Sequence, residues 1–276
     1  MLLDCGGKPL DLSEPRIMGI LNLTPDSFSD GGRFNAPERA IAQALQMQAD
    51  GAAIIDIGGE STRPGAREVS VEEELARVIP VIEALAPALD VPISIDTSKP
   101  EVMQAAVAAG AGMINDVYAL RRPGALEAAA GLGVPICLMH MQGEPRSMQQ
   151  QPQYQDVLDE VAEFLRAQVA RCTAAGISRH RLLLDPGFGF GKSLVHNLHL
   201  LKHLDVLVRD GLPVLVGLSR KSMIGTVLDR PLEQRLSGSL ALAALAAWQG
   251  ARIIRVHDVR ESVDAIKMIQ AVCGVE

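Results

Sequence analysis

The sequence feature that most constrains the fold is the run of leucines at 182–184, which ends at Asp185 and opens into a glycine-rich stretch. Three consecutive leucines predict a short strand buried on both faces, as in a parallel sheet covered by helices. Pro186 cannot donate to a sheet ladder, and the glycines after it allow backbone conformations closed to other residues, so we expect the strand to end at Asp185. The unit therefore places a carboxylate at the carboxyl end of a buried strand.

The same unit recurs along the chain. Short apolar runs alternate eight times with helical segments, and neither consecutive hairpins nor a low-complexity linker interrupts the alternation. This pattern predicts an α/β protein that is a single (β/α)₈ TIM barrel, with a doubly wound open sheet as the alternative. A polar residue at each strand exit favours the barrel, because a barrel brings all eight exits to one mouth. These residues are Asn22, Asp56, Asp96, Asn115, His140, Asp185, Ser219 and Arg255.

Length and composition bound the class of protein. We expect residues 1–12 to be a short N-terminal extension and residues 13–276 to be one barrel domain, for which 48% hydrophobic residues supply a large core. The net charge of -7 argues against nucleic-acid or membrane surfaces as partners. Four scattered cysteines, the lack of a basic and apolar leader and the lack of a long apolar span predict a cytoplasmic protein with free thiols.

Helix starts are marked by capping motifs. Ser70 with Glu73 has the spacing of a capping box, and the pairs Ser98–Glu101 and Asp258–Glu261 have the same spacing. The segment from Leu236 to Trp248 is apolar almost all round, which predicts a helix that also packs against a second subunit.

Two strand-end carboxylates, Asp96 and Asp185, with Asn115 between them, predict a ligand site in preference to separate loop caps. An ionised carboxylate only accepts hydrogen bonds, so it suits a flat heterocycle with adjacent N–H donors. Phenylalanines in the predicted mouth loops of a chain with only 3% aromatic residues favour stacking on such a ligand. They are Phe28, Phe34, Phe188 and Phe190.

Basic residues gather at the same end of the predicted barrel. Each alone could be a solvated charge, but together in an acidic protein they predict an anion such as phosphate. They are Arg63, Arg220, Lys221, Arg255 and His257.

Two other patterns do not indicate a site. The glycine spacing of 187–193 fits neither a Walker A loop nor a dinucleotide fingerprint. The helical run of His196, His199 and His203 is typical of a solvated helix face.

Several stretches together closely resemble the signatures of the dihydropteroate synthase family of folate biosynthesis. They are residues 22–32, 56–65, 96–98, 115–116, 185–189, 219–222 and 255–258, and the resemblance extends over the chain from Asp11 onward. It implies a (β/α)₈ barrel homodimer that condenses 6-hydroxymethyl-7,8-dihydropterin diphosphate with p-aminobenzoate and releases diphosphate with the help of Mg²⁺.

The resemblance also implies roles for individual residues. The pterin-binding set would be Asp96, Asn115, Asp185 and Lys221. The diphosphate and Mg²⁺ set would be Asn22, Arg63, Arg255 and His257, with Asn22 as the metal ligand. The p-aminobenzoate site would be formed by Phe28, Thr62, Pro64, Phe190 and Ser219, and Met139 and Gly217 complete the substrate-binding residues. Those expected to act in catalysis are Asp96, Asp185, Lys221 and Arg255.

Catalysis in such a site would need no nucleophile. We expect diphosphate to leave the pterin methylene first, and the amine to attack the resulting cation, so the residues would act by charge and position. Two rival hypotheses are a pterin-binding methyltransferase and a pterin-binding protein without catalysis. Neither accounts for the intact loops at 24–32 and 60–65.

Overall fold

Parallel strands close into a barrel in the structure, a computed structural model that describes residues 1–24, 36–61, 67–144 and 148–275. The strands are β1 (Leu2–Cys5), β2 (Lys8–Asp11), β3 (Arg16–Asn22), β4 (Ile54–Gly58), β5 (Ile93–Asp96), β6 (Met113–Asp116), β7 (Ile136–Met139), β8 (Leu182–Asp185), β9 (Leu215–Val216) and β10 (Ile253–Val256). Eight of them form one parallel sheet in the order β8-β7-β6-β5-β4-β3-β10-β9.

The two edges of this sheet meet. Leu184 of β8 bridges to Val214, just before β9, and its N–H donates to the carbonyl of Pro213 at 3.0 Å. The predicted TIM barrel is therefore confirmed, and the open-sheet alternative is wrong.

Helices follow the strands and cover the outside of the barrel. They are α1 (Ala36–Ala49), α2 (Val71–Leu85), α3 (Pro100–Ala108), α4 (Ala125–Leu132), α5 (Val157–Ala174), α6 (Leu194–Lys202), α7 (Asp205–Val208), α8 (Ser222–Leu228), α9 (Leu236–Trp248) and α10 (Val259–Cys273). In the described part of the chain, no helix is both long and apolar enough to cross a membrane.

The capping predictions are confirmed in part at α2 and α10 and wrong at α3. Ser70 accepts a hydrogen bond from the N–H of Glu73 at the start of α2, as predicted, but the Glu73 side chain pairs with Arg77 and does not complete the capping box. Ser98 instead donates to the buried carboxylate of Asp116 at 2.5 Å. Asp258 is the N-cap residue of α10, as predicted, but its side chain forms an ion pair with Arg220 and makes no capping hydrogen bond. In both cases a charged partner attracts the side chain more strongly than a helix N–H would.

Alternate strand residues face two different environments. Outward side chains pack under the helices in the main core, which includes Ile55, Ile95, Leu138 and Leu184. Inward side chains near the strand starts form a separate apolar layer inside the barrel: Met18, Ile54, Met113, Cys137, Leu183, Leu215 and Ile253. This period of two follows from the pleat of a strand, and it decides which residues can reach the mouth.

The first twelve residues close the bottom of the barrel. The predicted N-terminal extension contains an antiparallel hairpin, β1 and β2, whose residues Leu3, Cys5 and Leu10 join the inner apolar layer together with Leu12. The hairpin was missed because apolar residues alternate over only a few positions, a pattern too short to distinguish from a loop. Its packing keeps water from the inner layer and so gives the site above it a rigid floor.

We predict that Leu10→Ala lowers the free energy of unfolding by about 2–5 kcal/mol, because it opens a cavity beneath the barrel. Leu2→Ala in the same hairpin is the matched control, because that side chain is 68% exposed, and it should change stability by less than about 0.5 kcal/mol. Urea unfolding of both variants measures the difference. Equal effects would contradict the assignment of the hairpin to the core.

Candidate active site

Residues that line the barrel mouth lie two positions beyond the inner layer on their strands. Asn115, Met139, Asp185, Gly217 and Arg255 follow the inner residues of β6, β7, β8, β9 and β10 at this spacing, so their side chains share the inward face. Asp96 stands in the same relation to Ser94, and Asn22 lies at the end of β3. The structure therefore brings these sequence-predicted residues to one mouth.

The centre of the mouth is the guanidinium of Arg255, held by two carboxylates. Its Nε donates to Asp56 Oδ2 at 2.6 Å and its Nη2 donates to Asp96 Oδ2 at 2.7 Å. Burial alone would lower the pKa of Arg255, but the two carboxylates outweigh burial and raise it, so the cation is permanent. Three N–H donors of the guanidinium remain for an anion at the mouth.

Asp56 is a site residue that sequence reasoning missed. It is fully buried, and its Oδ2 also accepts from Asn115 Nδ2 at 3.3 Å, so one carboxylate orients both a cation and an amide of the site. It was recognised as polar at a strand exit but given no role. The useful signal was its place two residues after Ile54, on the inward face of β4.

Burial shifts the acids of the site toward neutrality. It raises the pKa of Asp96 to about 7, against the opposing effect of Arg255. It likewise raises the pKa of Asp185 to about 6, although the Gly187 N–H and nearby cations oppose it. That N–H donates to Asp185 Oδ1 at 2.7 Å and fixes the carboxylate plane.

Lys221 supplies the second cation of the mouth. Its Nζ lies 4.3 Å from the ring centroid of Phe190, a cation–π contact. Burial lowers the pKa of Lys221 to about 8, with Asp185 opposing the shift. Phe190 also packs against Met139 in a small apolar cluster, so the mouth has one apolar wall beside its charges.

Phe188 was expected to stack on a ligand at the mouth, and this expectation is wrong. Phe188 is 1% exposed and lies in the main core beneath the loop, because its side chain points to the helices and not to the mouth. At Gly217 the structure leaves open space where a Cβ would be, so the mouth extends over the end of β9.

The end of β10 continues the basic side of the mouth. Ser219 Oγ accepts from the backbone N–H of His257 at 3.2 Å and lies 3.1 Å from the imidazole Nδ1. Arg220 is exposed and paired with Asp258, so it contributes less charge to the mouth than the sequence predicts. The remaining predicted residues, Phe28, Phe34, Thr62, Arg63 and Pro64, lie outside the described residues.

His140 differs from the other strand exits. It follows the inward Met139, so its side chain lies on the outward face, where it meets the ring of Phe164 edge-on at 4.9 Å. His196 caps α6 with Ser193 and contacts Tyr154. Among the described residues, no cluster of three or more His, Cys, Asp or Glu side chains could hold a metal ion.

Asn22 is the one candidate metal ligand named by the sequence. Its Oδ1 lies at the mouth, about level with Asp96, since a Cβ built on Gly58 would come within 3.8 Å of that oxygen and 3.6 Å of Asp96 Cβ. An amide oxygen suits Mg²⁺, which usually keeps several waters and takes its other ligands from substrate phosphates. A single protein oxygen at a mouth that also holds the cation of Arg255 is compatible with that pattern.

Comparison with known proteins agrees with this geometry. The family model described as "Pterin binding enzyme" matches residues 18–257. The dihydropteroate synthase of Escherichia coli (strain K12) is 59% identical over 271 residues, which cover 98% of this chain and 96% of that relative. A structure of Xanthomonas albilineans dihydropteroate synthase with 4-aminobenzoic acid has a TM-score of 0.95 at 56% identity, covering 100% of this chain and 99% of that one. The structure of dihydropteroate synthase from the same organism in complex with 7,8-dihydropteroate has a TM-score of 0.92 at 53% identity and covers 100% of both chains.

We predict that Asp56→Asn lowers the free energy of unfolding by about 1–3 kcal/mol, because it removes the negative charge opposite Arg255 and weakens the hydrogen bonds that Asp56 Oδ2 accepts from Arg255 and Asn115. Ser94→Ala is the matched control. Ser94 is the register partner of Asp56 and is equally buried, and its Oγ has no hydrogen-bond partner among the described residues. Its loss should change stability by less than about 1 kcal/mol. Denaturant unfolding of both variants measures the difference, and a costlier Ser94 variant would be the contrary result.

Proposed function

The chain belongs to the pterin-binding enzyme family, and within it to the dihydropteroate synthases, and on that premise we propose how its barrel mouth works. The reaction joins 6-hydroxymethyl-7,8-dihydropterin diphosphate to p-aminobenzoate and gives 7,8-dihydropteroate and diphosphate. The observation that carries the proposal is the placement of two inward carboxylates, Asp96 and Asp185, near two partly buried cations, Arg255 and Lys221.

The pterin ring would bind through Asp185. Its carboxylate is held in one plane by the Gly187 N–H, and each of its oxygens has two lone pairs, so it can accept two adjacent N–H donors of the ring. Asp96 and Asn115 present further polar atoms at neighbouring strand ends. The apolar wall of Met139 and Phe190 suits one face of the ring.

The diphosphate would bind beside Arg255. The guanidinium is already oriented by Asp56 and Asp96, so it meets an anion without losing side-chain freedom. Ser219 and His257 lie on the same side. If Mg²⁺ is bound there, Asn22 would hold it through its amide oxygen, and the ion would add positive charge against the leaving diphosphate.

Bond cleavage then needs electrostatic help and no nucleophile from the protein. The methylene C–O bond breaks and its electron pair leaves with the diphosphate, next to the charge of Arg255. Asp96 and Asp185 lie where positive charge spreads into the ring, and they stabilise it. The amine of p-aminobenzoate forms the new C–N bond and loses a proton, which balances the reaction.

A homodimer is the proposed assembly. Helices α9 and α10 pack together and expose a set of apolar side chains, here called the α9–α10 face. Its members are Leu236, Leu245, Trp248, Met268 and Val272. Helix α9 has an apolar surface on nearly every side, more than its own barrel can cover, and a second copy would bury the rest.

Free thiols at all four cysteines support a reducing compartment such as the cytoplasm.

One assay tests the function. Purified protein with the pterin diphosphate, p-aminobenzoate and Mg²⁺ should form dihydropteroate and release diphosphate. A methyltransferase would form none but would bind pterin and transfer a methyl group, and a pterin-binding protein would bind pterin alone. Absence of product, where the Escherichia coli relative forms it, would overturn the proposal.

We predict that Asp185→Asn weakens 6-hydroxymethylpterin binding at pH 7 at least about tenfold, because it sets a donor against a donor and removes a charge-assisted bond. Since the folded pKa of Asp185 is about 6, wild-type affinity should be full above that pH and should fall as pH drops through it. Calorimetry with a thermal melt measures both. Asp205→Asn, a change at a half-exposed residue of α7, is the control, and equal losses in the two variants would refute the role of Asp185.

We predict that Leu245→Glu with Trp248→Glu converts a dimer into a monomer, because it buries unpaired carboxylates in the α9–α10 face. Sedimentation velocity measures the mass. Leu45→Glu, on α1 and 39% exposed, is the control outside that face and should leave the mass unchanged. A dimer that persists in the double variant would place the interface elsewhere.

A further inference from the structure

We propose that Lys192 is a positioning residue for this site, which fixes the loop after β8 and sets a positive charge behind the carboxylate of Asp185. The inference rests on the proposed role of Asp185 in binding the pterin. Lys192 belongs to the glycine-rich stretch that matches no nucleotide-binding motif, and the reaction described above makes no use of it.

Lys192 is a buried cation whose ammonium donates hydrogen bonds to backbone carbonyls of the loop. It is 2% exposed, and its Nζ donates to the carbonyls of Gly187 at 2.9 Å and Phe190 at 3.1 Å. It also lies 2.9 Å from His140 Nδ1 and 3.4 Å from the His140 carbonyl. No carboxylate in the described part of the chain forms an ion pair with it. A buried ammonium is costly unless it is well solvated by such dipoles, so its retention calls for a role.

The loop is pressed against the segment after β7 and has little room to change shape. A Cβ on Gly187 would lie 1.9 Å from the His140 carbonyl oxygen, and one on Gly191 would lie 2.4 Å from the Gln142 carbonyl oxygen. Both glycines have left-handed backbone angles, φ +69° and +62°. Tyr154 Oη donates to the Gly191 carbonyl at 2.8 Å, so an uncharged hydrogen bond also holds the loop.

The two carbonyls that Lys192 holds belong to the residues that orient the active site. Gly187 gives its N–H to Asp185 Oδ1 at 2.7 Å, and Phe190 lies against Lys221 Nζ at 4.3 Å. One buried ammonium thus fixes the peptide beside the predicted pterin acceptor and the ring beside the second cation. If Lys192 only stabilised the loop, its two hydrogen bonds would not need to go to the two residues that contact Asp185 and Lys221.

The charges around Asp185 make the role testable by pH. The groups that face it are the cations Lys192, Lys221 and Arg255, together with the buried thiol of Cys137, whose pKa burial raises. Burial lowers the pKa of Lys192 to about 7, with Asp185 opposing the shift, so Lys192 is charged where Asp185 titrates.

His140 does not compete for that role. Burial and the neighbouring Lys192 and Arg121 lower the pKa of His140 to about 2, so the imidazole stays neutral throughout the range in which Asp185 titrates. Removal of Lys192 therefore removes an opposing charge that nothing else on that side of the loop replaces, and it should raise the pKa of Asp185.

The experiment compares Lys192→Met with Tyr154→Phe. The Tyr154 variant removes one hydrogen bond that holds the loop and leaves the charge of Lys192 in place. Calorimetry with 6-hydroxymethylpterin from pH 5 to 7.5 gives the acid midpoint of binding, and a thermal melt of each variant checks the fold. In Lys192→Met the midpoint should rise by about one pH unit, and affinity near pH 6 should fall about fivefold. In Tyr154→Phe any loss should be the same at every pH, with the wild-type midpoint.

The outcomes separate the two proposals. If the wild-type protein binds no pterin, the proposed function fails. If it binds pterin and Lys192→Met keeps the wild-type midpoint, only the role of Lys192 is overturned. Lys192→Gln, which keeps a donor but no charge, applies the same criterion if the Met variant does not fold. Failure of both to fold would also count against a positioning role, which requires an intact barrel.

Discussion

The site depends on one partly buried guanidinium, that of Arg255, which Asp56 and Asp96 hold from two neighbouring strands. These charged groups are tolerated inside the barrel because they pair with one another, although Asp56 Oδ1 is buried without a hydrogen-bond partner among the described residues. Removal of any one of the three would leave an uncompensated charge. β4 and β5 are thereby fixed to β10, which lies on the other side of β3, at the height where the mouth begins. The same bonds that orient the arginine toward an anion therefore define the upper limit of the barrel interior.

Below that level the inward side chains form an apolar layer, and above it most of them are polar. The boundary follows from the pleat, because inward residues come every second position and change from Met113, Leu183 and Ile253 to Asn115, Asp185 and Arg255 in a single step. The N-terminal hairpin seals the apolar side. Water can reach the polar groups only from the mouth, which explains why burial shifts their pKa values while the groups stay open to a ligand.

Much of this could be predicted from the sequence, because it rests on local patterns. Short apolar runs with polar exits predict the strands and the barrel, and the strand-end positions of Asp96, Asn115 and Asp185 predict the site. What could not be predicted depends on packing between distant segments. Asp56 gains its role from Arg255, which is 199 residues away. The sequence suggests that Phe188 and His140 are mouth residues, but both side chains point outward, away from the barrel interior.

The titrating groups of the mouth share one physical property. Burial raises the pKa of Asp96 and Asp185 and lowers that of Lys192 and Lys221, so all four fall between about 6 and about 8. Near neutral pH, each can gain or lose a proton at little cost in free energy, so the charge of the site can follow the charge of its ligand. Arg255 is the exception, because its carboxylates keep it charged. A fixed cation suits the part of the proposed reaction whose charge never changes sign, the diphosphate. Adjustable groups suit the ring, which in the proposed reaction passes from neutral to cationic and back.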